Sequence, residues 1–170
     1  MQTFLTSADF RKSAKYLDQR RLWKQCLEAK TLLKILWKLE NATSEEAPQD
    51  GSWEDKKLWR EKALKNTKEK IGWVRHPAVT LWIGFSDALA YYYNCHVVEW
   101  ESRGFKNNSQ TLIDLPEEIW LPGWTQSREF HLNHRAALLS KEVERQEKSW
   151  YQEQARFLKA PKFTNYIWEP

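Results

Sequence analysis

Leu17-Asp18-Gln19-Arg20-Arg21-Leu22-Trp23-Lys24-Gln25-Cys26-Leu27-Glu28-Ala29 is the stretch whose reading decides the fold. On an α-helix, residues three, four and seven apart share a face. Arg21, Lys24, Gln25 and Glu28 then form a polar stripe, which continues into apolar Leu32 and Ile35. Leu22, Cys26, Ala29, Leu32, Leu33 and Leu36 keep helical spacing to about Leu39 and form the core side. Glu28 therefore sits where a charged edge meets the core. A carboxylate there, with cations one turn away, is either an ion-pair partner of Lys24 or Arg21 or a catalytic group.

On either side, Asp18 is placed to cap this helix, and Ser7 or Asp9 to cap a shorter one from near Phe10. Residues 41–53 read as an exposed acidic loop. Residues 54–70 read as a polar helix anchored by Leu58, Trp59 and Leu64, an insertion rather than a core element. Pro77 fits a first helical turn. Val79, Trp82, Ile83, Phe85, Leu89, Tyr92, Tyr93, His96, Val97 and Trp100 predict one continuous central helix, ended by a left-handed cap at Gly104. Residues 106–125 have no period. A helix is expected over 127–140 and another over 141–158, and the aromatic tail 161–168 should pack back on the body. The expected class is all-α: a single compact domain over 1–170 with about four to six helices, a long N-terminal one among them, and 41–70 inserted.

The chain has 170 residues, 41% hydrophobic and 29% charged, a balance that suits one domain with a sizeable core. Eleven Trp, six Tyr and seven Phe imply either an aromatic-rich core or flat stacking surfaces. Five glycines, with no GxGxxG and no Walker motif, argue against phosphate-loop enzymes and most all-β folds. Cys26 and Cys95 lack metal spacing and read as buried free thiols. Without a membrane span or signal peptide, the protein is expected to be soluble and intracellular, in cytoplasm, nucleoid or nucleus, not secreted and with no membrane partner.

Net charge is +4, and its distribution says more than its size. Residues 1–40 carry nine bases against four acids, 41–55 five acids and no base, and 56–76 eight bases against two acids. Basic blocks around an acidic linker suggest a polyanion-binding face. Solvated helix faces are the plainer explanation.

Several segments, in order, resemble the pyrimidine-dimer DNA glycosylase family, and more closely a cellular branch of it. They are Met1-Gln2-Thr3-Phe4-Leu5, the 17–29 stretch, His76-Pro77-Ala78 with Trp82 and Gly84, Arg103-Gly104-Phe105, 134–141 (His134-Arg135-Ala136-Ala137-Leu138-Leu139-Ser140-Lys141), and Tyr166-Ile167-Trp168. The resemblance implies an all-α fold with the N-terminus against the first long helix. It implies a glycosylase with abasic-site lyase activity on damaged double-stranded DNA, acting as a monomer without cofactor or metal. An N-terminal amine attacks C1′, the base leaves, and the Schiff base permits β-elimination. The matching helix glutamate is Glu28. Gln2 is large, so Met1 is expected to be retained and its amine to be the nucleophile, with Gln2 the alternative. Where the family has a histidine this chain has Arg21, and Leu27 stands where a basic residue precedes the glutamate.

The chemistry is sound on its own terms. An α-amine titrates near 7.7–8.0 and is partly unprotonated at neutral pH. Amine nucleophiles form Schiff bases, and a carboxylate stabilises the developing cation and shuttles protons. Arg21 and Lys24 are candidate phosphate contacts, and Arg20 a phosphate or surface contact. Gln25, His76, His134 and Arg135 are candidate DNA contacts, although His76 better suits a structural role such as a helix cap, and His134-Arg135 equally suit packing against the first helix. His131 and His134 share a face, but without a neighbouring carboxylate or Cys they do not suggest a metal site. Tyr166 and Trp168 are candidates for stacking on a base. Two other functions fit the residues: a nucleic-acid-binding protein of this fold without lyase chemistry, and a helical protein-interaction module.

Overall fold

The computed structural model describes residues 2–168. Among these, seven α-helices form, with no strand: α1 (Phe10–Lys15), α2 (Gln19–Glu40), α3 (Trp53–Asn66), α4 (Pro77–Trp82), α5 (Ser86–Ser102), α6 (Arg128–Glu144) and α7 (Ala155–Leu158). The all-α class holds, and the number of helices exceeds the expected range.

Local signals set most starts. Asp9 accepts from the Arg11 and Lys12 amides and caps α1, and Asp18 accepts from Arg21 N and opens α2 separately. Ser52 and Asp55 close a reciprocal capping box on α3. Pro77 lies in the first turn of α4, and Ser127 caps α6. Gly104 takes φ +79° after α5, the left-handed conformation read from the sequence.

Two long-range effects divide helices that the sequence reads as continuous. The central helix breaks at Ile83-Gly84-Phe85. Gly84 has φ +82°, and a Cβ there would lie 2.7 Å from the Pro48 carbonyl oxygen. The 41–52 loop therefore packs directly on the break, and only glycine admits it. The expected 141–158 helix stops at Glu144. The buried Glu142 carboxylate accepts from Trp150, Tyr151 and Gln152 amides at 2.5, 3.0 and 3.0 Å and turns the chain back. Three backbone donors converging on one carboxylate outweigh further helix.

α2 packs mainly along α5, and α1 also crosses α5. One core gathers α2, α4 and α5 around Trp82, Tyr92 and Tyr93. Trp59 and Ala63 of α3 enter it, so α3 contributes to the core, while Leu58, expected as an anchor, is 60% exposed. A second core joins Leu17 and Leu22 to Ala137, Leu138, Tyr151 and Phe157. Residues 2–6 thread between them, with Leu5 in the first core and Phe4 in the second. Arg103 donates to Leu17 O, Lys15 O and Ala14 O at 2.8, 3.0 and 3.3 Å and closes the end of α1. No helix of the described residues is long and apolar enough to cross a membrane.

Candidate active site

The site is built on the way residues 2–6 are pinned to α2. Gln25 is completely buried, and its amide uses every donor and acceptor it has. Its oxygen accepts from Phe4 N at 2.8 Å and from the Tyr92 hydroxyl at 2.7 Å. Its nitrogen donates to Gln2 O at 3.0 Å and to Glu28 Oε2 at 3.1 Å. Glu28, one turn on, accepts from Gln2 N at 3.2 Å. Trp82 Nε1 donates to Thr3 Oγ1 at 2.9 Å, and Arg135 donates to Thr6 O at 2.9 and 2.6 Å.

His134 holds the segment from the opposite side. Leu5 N donates to its Nδ1 at 2.8 Å, and the Gln2 carboxamide lies 2.8 Å from its Nε2. With Nδ1 accepting, the ring proton resides on Nε2. The Gln2 amide then presents its oxygen, otherwise buried and unpartnered, to that N–H. Burial lowers the His134 imidazole to about 3, and burial lowers His96, on α5, to about 4. Both pKa values lie below the unfolded value, so both histidines support the fold above about pH 6.5. That support is lost as pH falls from 6.5 toward the folded pKa values, at up to about 1.4 kcal/mol per unit each. The urea midpoint should therefore fall measurably between pH 6.5 and 5, above the carboxylate range. A flat profile there would contradict the buried neutral rings.

Around this clamp lies an open, basic and aromatic face. The Glu28 side chain is 15% exposed, and the mostly exposed Lys24 ammonium lies 3.6 Å from it. Burial and the Glu28 charge push the Tyr166 phenol up to about 12. Lys141 lies over the Tyr166 ring at 5.7 Å, its ammonium lowered by burial and by Arg145, Lys24 and Arg21. Tyr166 contacts Trp168 at 5.5 Å between ring centroids, and Trp168 contacts His76 at 5.7 Å. The tail packs back on the body, as its composition implies.

The structure brings Gln2, Gln25, Glu28, Lys24, His134, Tyr166, Trp168 and His76 to one region, but several of them, with Arg135 and Arg21, are committed within the fold. Met1 lies outside the described residues. Gln25 and His134, expected on DNA, are fully buried and hold backbone instead. Arg135 spends its guanidinium on Thr6 O, and His76 caps α4 by accepting from Ala78 N at 3.1 Å. Arg21 is buried between Asp18 at 2.9 Å and Glu147 at 2.7 Å, so it is not free for phosphate. Arg20 remains exposed, though it also reaches Glu147 at 3.1 Å. His131 Nε2 lies 2.8 Å from Thr125 O, so both members of the histidine pair are committed within the fold.

Tyr92, Trp82 and Lys141 were missed as site residues. Tyr92 and Trp82 follow the apolar face, and their only signal was a polar tip that must find a partner when buried. Lys141 belongs to a matching segment, but nothing local in the sequence places it over the Tyr166 ring.

No curated protein and no solved structure matches the chain. The family model described as pyrimidine dimer DNA glycosylase matches residues 1–112. That span contains α1 to α5, the 2–6 segment and Glu28, and it makes the chain a member of the pyrimidine dimer DNA glycosylase family.

Proposed function

We propose that this protein is a DNA-repair glycosylase with abasic-site lyase activity. Its nucleophile is the α-amine at Met1, which precedes Gln2, and Glu28 is its charged partner. The observation that carries the reading is the 3.2 Å contact of Gln2 N with Glu28, in a segment held by Gln25 and His134. Fixing Gln2 beside a carboxylate favours the orientation that a covalent step at the preceding residue needs. The amine attacks C1′ of the damaged deoxynucleotide and the base departs. Glu28 stabilises the cationic sugar and accepts and returns protons. The sugar ring then opens at C1′–O4′, O4′ takes a proton, and the resulting imine acidifies C2′; β-elimination breaks the C3′–O bond and the 5′-phosphorylated strand leaves. Lys24, Lys141 and Arg20 supply exposed or half-exposed cations for flanking phosphates, and Tyr166 and Trp168 supply stacking faces.

The test is strand nicking of duplexes carrying one cyclobutane dimer, one abasic site or neither, with binding measured over a range of salt. Nicking of the damaged duplexes alone is expected. Log affinity should fall with log salt by about 0.9 per phosphate neutralised, and Lys24→Ala or Arg20→Ala should each remove about one unit of slope. Steep salt dependence without nicking would leave a binding protein of the same fold. Salt-independent behaviour would remove DNA as the partner.

A further inference from the structure

Trp73 is built in a way that the fold does not need. Among the described residues, only Trp73 and Gln146 are non-glycine residues with positive φ, and Trp73 has φ +62°. A bulky side chain is strained there, where Gly or Asn would be accommodated. The strain is not offset by burial, since the indole is 68% exposed. The turn itself is firmly made. His76 N donates to Trp73 O at 2.9 Å, Val74 is buried in the first core and Ile71 packs against it. Putting Val74 inside directs the neighbouring indole outward.

The indole is also aligned with the site. Its ring centroid lies 5.8 Å from His76, His76 lies 5.7 Å from Trp168, and Trp168 lies 5.5 Å from Tyr166. Tyr166 packs on Phe4 and His134, which hold the Gln2–Glu28 pair. Trp73 is thus the solvent end of an aromatic row whose other end is the proposed reaction centre. Lys68, Lys70 and Arg75 are exposed within five residues of it in the chain, Arg75 paired with Glu61 at 2.7 Å.

We propose that Trp73 is a base-stacking residue, whose indole face takes the place of lost stacking on a nucleotide beside the lesion. The assignment rests on the reading of the site as one that acts on DNA. An indole suits the task because every base offers a π-face, so contact does not depend on sequence. An intact duplex offers no open face, so the contact favours damaged DNA. Held on a tight turn, the ring loses little freedom on binding.

The experiment compares Trp73→Ala, Trp73→Phe and Trp73→Asn with the parent, using anisotropy on a duplex with one abasic site and on its intact counterpart, and thermal melting. Trp73→Ala and Trp73→Asn should lose about 5- to 100-fold in affinity for the abasic duplex. Their affinity for the intact duplex and their salt slope should not change, and Trp73→Phe should retain most of the preference. Trp73→Asn, which relieves the backbone, should melt no lower than the parent and up to about 4 °C higher. Unchanged abasic-site affinity in Trp73→Ala, beside a parent that prefers that duplex, overturns the assignment alone. So does a marked fall in melting temperature for Trp73→Asn, which would make the indole structural. A parent that does not distinguish the two duplexes overturns the reading of the site and this assignment with it.

Discussion

Glu28→Gln is expected to lower nicking at an abasic site by about 10²–10³-fold while the protein stays folded. The amide keeps the shape of the carboxylate and can still accept from Gln2 N, now 3.2 Å away. What disappears is the negative charge, and with it the stabilisation of a cationic sugar and a proton acceptor. The Lys24 pair is also lost, but at 3.6 Å with a largely exposed lysine it contributes at most about 1 kcal/mol. The melting temperature should therefore move by no more than about 4 °C. Duplex affinity should hold or rise, because a negative charge facing phosphate has been removed. Nicking within tenfold of the parent would return Glu28 to a structural ion pair.

Gln25→Leu is expected to destabilise the fold by about 3–5 kcal/mol, a fall of roughly 10 °C in melting temperature. Volume is nearly conserved, so the loss comes from hydrogen bonds. Phe4 N and Gln2 O lose their Gln25 partners. The Tyr92 hydroxyl is spared, since it also lies 3.0 Å from Phe4 O. Nicking, measured well below the melting range, should fall further than the folded fraction does, because the segment that follows the proposed nucleophile is released from α2. A variant that melts within about 2 °C of the parent would show that Gln25 is not the anchor of the 2–6 segment.

The long helix α2 was legible because its information is local: Asp18 supplies the cap and the apolar spacing supplies the face. The α4–α5 break was not. Gly84 interrupts an apolar pattern for a reason 36 positions away, the Pro48 carbonyl against which no Cβ fits. The turn after α6 was hidden in the same way, since its cause is Glu142 receiving amides from residues 150–152. At the site, Glu28 was marked by its position on the stripe. The sequence offers Gln25 for DNA and His134 for either DNA or the first helix, whereas the structure buries both against residues 2–6. A polar residue in a sequence can face phosphate or a buried backbone amide with equal plausibility, and only the path of residues 2–6 decides. Arg21 followed the same logic in reverse: Asp18 is local, but Glu147 is not.

The most direct measurement is borohydride reduction of the untagged protein on an abasic-site duplex, alongside a form whose N-terminal amine is blocked. The account predicts a covalent protein–DNA adduct that maps to the N-terminal residue and is absent from the blocked form. No adduct, or one that persists with the amine blocked, would contradict an N-terminal amine working beside Glu28.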